Sequence, residues 1–328
     1  MEKKIRFGMM GAGSIARPNG SALIAQPEAE MVAISNTTVS KAEKVAQDLG
    51  IECTIYGDYH DMLKNEKLDA VLINLPHHVH REAFIASAQL GLDIIIEKAL
   101  ALNYAECLEM IEARDRHKIK ATVCHTQRYN AIFQTADRFI TSHDLGKLMC
   151  INDSISLDYF WDGRSAWMLD NEQSGRGIAL NYGVHQLDRV HFFLKQKTVS
   201  FKAEYVTGKP GISVPSSYVM MGVGDGGTPY VVTCNGYSNP MTDEIRLIFE
   251  KGMLHCVSRN DGPSPYGLWF GDNRRKKFEQ VELLFSQEDY YSREFRAAID
   301  YLSGKTAEAP IPLEWGAEMV RLVTSEFR

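Results

Sequence analysis

Hydrophobic and polar positions in the first 124 residues alternate between two patterns. Short, nearly continuous apolar runs predict buried strands, and stretches with an apolar residue every three or four positions predict helices. The predicted strands cover residues 5–10, 31–35, 70–73, 92–96 and 121–124. Continuous apolar strands separated by helices are typical of a parallel sheet covered on both faces. This part of the chain is therefore predicted to be a doubly wound α/β domain.

The pattern changes after residue 125. Short, often alternating segments separated by Gly and Pro predict the strands of a largely antiparallel, open sheet. These segments are 148–160, 199–206, 218–223, 230–234 and 245–249, and helices are predicted at 181–194, at 292–302 and from 313 onward. The change predicts two domains, an α/β domain at 1–124 and an α+β domain at 125–328.

Composition narrows the possible functions. The 328 residues carry a formal net charge of −6, which disfavours a broad nucleic-acid surface, and the basic run at 274–277 is interpreted as a solvated loop. No apolar stretch approaches the roughly 20 residues of a membrane span, and no secretory segment begins the chain. Six scattered cysteines without a C-x-x-C pair indicate reduced thiols, so a cytoplasmic protein is expected.

A glycine-rich turn follows the first predicted strand. Gly11-Ala12-Gly13-Ser14-Ile15-Ala16 fits the pattern G-x-G-x-x-G/A at the start of a helix. Its first Gly permits the turn, the second allows backbone to approach a pyrophosphate, and the helix N-terminus faces the phosphate charge. Because the motif lies inside a strand–helix–strand unit, it predicts a Rossmann dinucleotide site, the alternative being a turn without a ligand.

The end of the second strand bears on the choice of cofactor. Ser35, Asn36 and Thr37 stand where NAD-preferring sites usually place an acidic residue, and two lysines follow in the next helix. No carboxylate would repel a 2′-phosphate, so the expected cofactor is NAD(P) with a lean to NADP. A polar loop without a phosphate preference is the alternative.

Polar residues also follow the fourth and fifth strands, where ligands of an open parallel sheet bind. Lys98 directly follows a buried apolar run, and its ammonium could stabilise a developing alkoxide unless it only pairs with Glu97. His77, His78 and His80 raise a zinc hypothesis, but no carboxylate or Cys stands beside them and adjacent histidines share one ion poorly. No metal is predicted.

The helix predicted at 181–194 carries a second candidate group. Asn181, His185 and Asp188 are spaced by four and three residues, which places them on one face. A neutral His is a suitable base for a hydroxyl proton as hydride leaves the carbon. Taken alone, His185 is more often a core or surface histidine, and the catalytic interpretation depends on its occurring together with Lys98 and the glycine loop.

These motifs together resemble the glucose–fructose oxidoreductase and inositol dehydrogenase family, Gfo/Idh/MocA, over nearly the whole chain. In order, the matching elements are the Gly11–Ala16 loop, Pro76 with His80, Glu97-Lys98, Arg128-Tyr129, Trp167, and the segment from Gly175 to His185 and Asp188. The resemblance implies a Rossmann domain followed by a substrate domain, an NAD(P)-dependent dehydrogenase acting on CH–OH groups, and a homodimer or higher homo-oligomer.

The resemblance also implies roles for individual residues. Lys98 would contact the substrate hydroxyl, His185 would be the acid/base, and Asn181 would assist them. Tyr159 and Trp167 would line the substrate pocket. The implied cofactor-binding residues are Gly11, Gly13, Ser14, Ile15, Ser35, Asn36, Thr37, Asn74, Pro76, His80, Glu97, Lys98 and Arg128. Two positions depart from the family pattern, since Ala99 replaces the usual Pro and Asn181 stands where many members carry Asp.

The expected function is hydride transfer between nicotinamide and a polyol, sugar, inositol or related hydroxyl or carbonyl compound. A regulatory NAD(P)-binding protein without catalysis is one alternative, although retention of Lys98 and His185 disfavours it. A lyase or glycosidase that uses bound NAD for a transient oxidation is another. The expected partner is a small-molecule substrate, with neither nucleic acid nor membrane.

Overall fold

The structure is a computed structural model that describes residues 4–260, 266–286 and 290–325. The described chain divides into two compact units, each built on one sheet. The first unit holds the residues up to 125 together with 291–320, and the second holds 126–290 and the residues from 321. The division predicted from the sequence does not include this return of residues 291–320 to the first unit.

The first unit contains a six-stranded, all-parallel sheet. Its strands are β1 (Ile5–Met10), β2 (Ala29–Ser35), β3 (Thr54–Tyr56), β4 (Ala70–Ile73), β5 (Asp93–Ile96) and β6 (Ala121–Val123). Their order is β3-β2-β1-β4-β5-β6, with every pair parallel. This is the doubly wound Rossmann order, and its direction reverses between β1 and β4. The predicted fold is confirmed, and the carboxyl ends of β1, β2, β4 and β5 meet where a ligand would bind.

Helices flank this sheet. They are α1 (Ala16–Ile24), α2 (Val39–Leu49), α3 (Tyr59–Asn65), α4 (His77–Gln89) and α5 (Tyr104–His117). Gly50 ends α2 with a left-handed φ of 65°, and the side chain of Asn103 accepts the Glu106 N–H at 3.0 Å to begin α5. These local signals fix the C-terminal end of α2 and the N-terminal end of α5.

The second unit contains an eight-stranded, mainly antiparallel sheet. Its strands are β7 (Leu148–Asp158), β8 (Thr198–Val206), β9 (Ser217–Gly224), β10 (Pro229–Asn235), β11 (Tyr237–Phe249), β12 (Gly252–Asn260), β13 (Gly267–Asp272) and β14 (Lys277–Val281). The order is β14-β13-β12-β11-β7-β10-β9-β8, and among these described strands only β7 and β10 pair in parallel. This confirms the predicted mainly antiparallel sheet, although its last three strands are not predicted from the sequence.

One face of this second sheet is buried and the other is open. Along β9, Tyr218 and Met220 are buried whereas Val219 and Met221 are about half exposed. The helices of the unit include α6 (Ala131–Ser142), α7 (Asn171–Ser174) and α8 (Val184–Leu194), and a single π-helical turn, Ala179–Gly183, runs into α8. Alternation of side chains along the strands produces the two unlike faces.

Two further helices, α9 (Tyr290–Leu302) and α10 (Leu313–Thr324), lie where the sequence predicts helices. The apolar face of α9 completes the core of the first unit, where Phe295, Ala298 and Ile299 are buried in one cluster with Phe7 and Met9. No helix within the described residues is long and apolar enough to cross a membrane.

Candidate functional site

The glycine-rich loop is fastened to the ends of two strands. Gly11 has a φ of 93° and donates its N–H to the Ser35 carbonyl at 2.8 Å. A Cβ on Gly11 would lie 2.6 Å from the Asn74 carbonyl oxygen, so only glycine fits between β1 and β4. The next residue, Ala12, donates its N–H to Oδ1 of Asn36 at 3.0 Å. The first half of the loop is therefore packed.

The second half of the loop is open. Gly13 and Ser14 are exposed, and a Cβ on Gly13 would meet no atom within 4 Å. α1 begins at Ala16, which is fully buried, with Ile15 as the residue before it. A helix N-terminus next to uncrowded backbone accommodates a pyrophosphate, because the unpaired N–H groups and the helix dipole favour negative charge. The residues present therefore fit a dinucleotide.

The end of β2 presents hydroxyls and no carboxylate. Ser35 is buried, Asn36 bridges the loop by also donating Nδ2 to the Thr38 carbonyl at 2.9 Å, and Thr37 is exposed. Lys44 pairs with Asp48 one turn further along α2. Its ammonium is therefore less available to a phosphate than the sequence suggests. Thr37 and the exposed Lys41 remain the nearer groups along the chain.

A buried amide that sequence reasoning missed connects these strand ends. Asn19 in α1 is fully buried, and its Nδ2 donates to Oδ1 of Asn74 at 3.0 Å and to Oε1 of Glu97 at 2.8 Å. The other amide atoms, Oδ1 of Asn19 and Nδ2 of Asn74, find no hydrogen-bond partner in the described residues. Buried polar atoms of this kind are normally satisfied, and a ligand's amide or hydroxyl groups would satisfy them. Asn19 interrupts an otherwise small and apolar helix face, and that was the available signal.

Glu97 and Lys98 stand at the end of β5. Glu97 is only 6% exposed, and burial raises its pKa although Lys98 and Asn19 oppose the shift. The Lys98 N–H donates to Oε2 of the Glu97 side chain at 3.2 Å, and the Lys98–Ala99 peptide is cis. The first unit thus gathers Asn74, Glu97 and Lys98 at adjacent strand ends, as the sequence predicts.

The histidines after β4 contact backbone. Pro76 precedes the first turn of α4, and His77 there accepts the Ala99 N–H at 3.4 Å. His80 is fully buried, with Nε2 2.7 Å from the Leu75 carbonyl and Nδ1 2.9 Å from the Ala99 carbonyl. These contacts favour a role for His80 in holding the segment after Lys98, and direct contact with a cofactor stays a prediction.

In the second unit, a buried arginine anchors the helix that carries His185. Arg189 is fully buried and pairs with Asp153 of β7 and Asp243 of β11. Gln186 donates to Oδ1 of Asp153 at 2.5 Å. Burial works against the charge of Arg189, but the two carboxylates hold its pKa above the usual value. Helix α8 is thus fixed to the sheet one turn after His185.

A second ion pair of α8, made by Asp188, involves Arg128. The Arg128 guanidinium pairs with the fully buried Asp188 and lies 5.5 Å from the centroid of the Phe192 ring. The sequence predicts Arg128 as a cofactor ligand, whereas the structure shows its charge engaged by Asp188. His185, three residues before Asp188, is partly exposed. Contact of Arg128 with a cofactor stays a prediction.

Aromatic and polar residues surround the π-helical turn that precedes His185. Tyr159 is buried, donates its hydroxyl to the Met168 carbonyl at 3.3 Å and contacts the side chain of Asn181. Trp167 is half-buried in a short 3-10 turn, Ala166–Leu169. The structure therefore brings Tyr159 and Asn181 together in the second unit. π-helical turns occur often at functional sites because they re-aim side chains within a helix.

Comparison with known proteins agrees with this arrangement. Residues 5–125 match the profile described as "Oxidoreductase family, NAD-binding Rossmann fold", and residues 133–255 match the GFO/IDH/MocA C-terminal domain. A levoglucosan dehydrogenase solved in complex with NADH superposes with a TM-score of 0.86 at 17% identity, covering 97% of this chain and 94% of that one.

The matches to curated relatives cover only part of each protein. The 2,7-anhydro-N-acetylneuraminate hydratase of Mediterraneibacter gnavus is 24% identical over 195 residues, 58% of this chain and 50% of that protein. The scyllo-inositol 2-dehydrogenase (NAD(+)) of Bacillus subtilis is 25% identical over 201 residues, 61% of this chain and 57% of that protein. The chain thus spans about half the length of the curated relatives it matches.

The two profile matches cover both units in the order that the motifs predict, so this chain belongs to the GFO/IDH/MocA family of oxidoreductases.

Proposed function

We propose that the protein is an NAD(P)-dependent dehydrogenase or reductase that acts on a CH–OH group of a polyol, sugar, inositol or related compound. The nicotinamide, when bound, supplies the hydride chemistry. The exposed backbone of Gly13, Ser14 and Ile15 holds the pyrophosphate, and the Asn74 amide orients the nicotinamide end. Names of the relatives, an inositol dehydrogenase and a levoglucosan dehydrogenase, support this substrate range.

Lys98 and His185 act on the reacting hydroxyl in this proposal. His185 takes the hydroxyl proton in the oxidising direction, and the Lys98 ammonium stabilises the oxygen as it becomes an alkoxide. Lys98→Met and His185→Ala are each expected to lower kcat by about 100-fold or more, and His185→Ala should leave nucleotide affinity unchanged. Retained turnover in either variant, or loss of nucleotide binding in His185→Ala, would contradict these roles.

The observation that carries the proposal is the contrast between the packed Gly11 and the open Gly13. Fluorescence titration of nucleotide-free protein with NADH and NADPH tests it directly. We expect Gly13→Ala to weaken binding by about tenfold without loss of thermal stability, because the methyl group occupies the space next to the phosphates. Gly57→Ala is the matched control, since its Cβ would meet only Val39 at an ordinary 3.7 Å.

Two results would refute the proposal. If neither NADH nor NADPH binds the nucleotide-free wild type, the chain is not an NAD(P)-dependent enzyme. If Gly13→Ala binds nucleotide as well as Gly57→Ala does, the loop does not hold the phosphates.

We further propose that NADP(H) is preferred. The oxygens of a 2′-phosphate accept hydrogen bonds from the hydroxyls of Thr37 and Thr38 and from the ammonium of Lys41, and no carboxylate at position 36 repels them. Asn36→Asp keeps an acceptor for the Ala12 N–H but adds a negative charge. It should lower the affinity for NADPH about tenfold relative to that for NADH, and an unchanged ratio would contradict the preference.

The proposal also covers how copies of the chain associate and where in the cell the protein is located. The open face of the second sheet, which exposes apolar side chains of β9, is proposed as the contact between two copies of the chain. The six cysteines are all free thiols, which fits a protein of the reducing cytoplasm.

A further inference from the structure

A tight turn shortly after β7 positions one arginine against Tyr159. The Arg164 N–H donates to the Trp161 carbonyl at 3.2 Å, which closes a four-residue turn. Gly163 has a φ of 98°, and its Cβ would lie 2.7 Å from the Trp161 ring. Glycine at the third position of such a turn allows this backbone and the close approach of the indole. The turn directs the Arg164 side chain back onto Tyr159.

The guanidinium of Arg164 is held in a defined orientation. Its Nε donates to the Tyr159 carbonyl at 2.6 Å, and its carbon lies 4.2 Å from the centroid of the Tyr159 ring. It also reaches the side chain of Tyr182 in the π-helical turn. Tyr159 in turn contacts Asn181, so Arg164 contacts one residue of the turn that leads to His185, Tyr182, and is linked to a second, Asn181, through Tyr159.

This half-buried cation has no carboxylate partner among the residues that the structure describes. Two acidic residues close in sequence hydrogen-bond backbone groups, since Asp158 accepts the Phe160 N–H at 3.2 Å and Asp170 accepts the Glu172 N–H at 2.8 Å. The buried arginine of α8, Arg189, is by contrast paired with two carboxylates. Nη1 of Arg164 donates to the Met168 sulfur at 3.5 Å, and because sulfur is a weak acceptor the guanidinium keeps donor capacity for a carboxylate.

An exposed aromatic ring lies next to this cation. Trp161 is 52% exposed, and its ring centroid is 5.8 Å from the guanidinium carbon of Arg164. The face of an exposed indole is suited to pack on the C–H face of a sugar ring. The guanidinium beside it is suited to bind an acidic group on the same ring. Charge recognition and a flat apolar surface therefore lie side by side.

We propose that the substrate is an acidic sugar or polyol whose carboxylate is bound by Arg164, with Trp161 against its carbon skeleton. This inference rests on the proposed oxidoreductase function and specifies its substrate class. A purely structural Arg164 would only tie the turn to Tyr159, and variants at this position separate the two roles.

The test uses matched pairs of compounds that differ in one carboxylate. The probes are D-glucuronate with D-glucose, D-galacturonate with D-galactose, and D-gluconate with D-glucitol. Binding is measured by calorimetry on the protein saturated with NADPH and, separately, with NADP⁺, and KM and kcat are measured for every compound that is turned over. We expect at least one acid to bind more tightly than its neutral counterpart.

Arg164→Gln should weaken binding of that acid, and raise any measurable KM for it, by about 10- to 100-fold, leave kcat within about threefold, and leave the neutral compound unaffected. Arg164→Lys keeps the charge but not the fork, so it should give a smaller loss. Arg176→Gln is the control, because Arg176 also stacks on a tyrosine, Tyr205, and donates to a carbonyl, that of Thr324. It should retain the preference for the acid.

The proposal is overturned if no acid binds more tightly than its neutral counterpart, or if Arg164→Gln weakens both members of a pair equally. Either result leaves the oxidoreductase function standing, provided that NADPH or NADH still binds. Absence of nucleotide binding in the wild type would instead refute the proposed function itself.

Discussion

Replacing Asn19 by Leu tests the buried amide that joins α1 to β4 and β5. The wild-type side chain donates to Oδ1 of the neutral Asn74 side-chain amide and to the Glu97 carboxylate. A neutral hydrogen bond contributes about 1 kcal/mol and one to a charged group about 1.5–3 kcal/mol. Leu fills a similar volume but strands both acceptors, so we expect the free energy of unfolding to fall by about 3 kcal/mol at pH 8.

The loss should depend on pH with a defined sign. Burial raises the pKa of Glu97 above the 4.5 of an exposed glutamate, so the folded state retains this proton more strongly than the unfolded state does. Stability contributed by Glu97 is therefore full below about pH 4.5 and falls as the pH rises through the folded pKa. Removing the Asn19 donor raises that pKa further, at about 1.4 kcal/mol per unit. The cost of Asn19→Leu should thus be smaller at pH 5 than at pH 8, because a hydrogen bond to a charged acceptor contributes more than one to a neutral acceptor.

Urea unfolding followed by circular dichroism at both pH values measures the difference. A second series in the Glu97→Gln background provides the control, because a neutral side chain at position 97 removes the pH dependence of the Asn19→Leu cost. Equal losses at pH 5 and pH 8 in the wild-type background would refute the argument, since the Asn19–Glu97 bond would then not depend on the charge of the carboxylate.

Three other predictions follow from the second unit. Arg189→Met leaves the carboxylates of Asp153 and Asp243 buried without a counterion. Urea unfolding should therefore show that the free energy of unfolding falls by about 3–5 kcal/mol at pH 7 and by less at pH 5. A loss that does not depend on pH would contradict this. Burial raises the pKa of Asp153 to about 6 from 3.8, so its share of stability falls as the pH rises from about 4 to 6, and Asp153→Asn should remove that slope from a pH series of unfolding free energies. Met221→Glu places a charge on the open face of β9 and should shift sedimentation toward the monomer, whereas an unchanged sedimentation coefficient would exclude this face as the contact.

Elements with a strong apolar signature could be predicted from the sequence. β4 (Ala70–Ile73) is buried at every position, and its bounds agree with the predicted strand. β14 (Lys277–Val281) exposes nearly all its side chains, so no alternation marks it, and β3 (Thr54–Tyr56) is only three residues long. Their strand character comes from pairing with a neighbour, which local sequence does not record. α6 (Ala131–Ser142) was missed despite an amphipathic pattern.

Some residues of the candidate site could likewise be predicted from the sequence, and others could not. The glycine loop, Asn74 and Lys98 could be placed because topology brings the carboxyl ends of parallel strands to one edge. Asn19 and Arg164 could not be assigned, because their partners are distant in sequence or are backbone carbonyls. A polar side chain on an apolar helix face signals that some partner exists, without saying which one.

The contribution of α9 to the first unit affects the order of events during synthesis. Ribosomes produce about 5–20 residues per second, so the roughly 165 residues of 126–290 take about 10–30 s to emerge after β6 is complete. Throughout that interval, the surface later covered by Phe295 and Ile299 has no cover. The Rossmann sheet must therefore wait as an incomplete intermediate while the second sheet is made. This delay is expected to increase the need for chaperones during synthesis, without changing the stability of the finished protein.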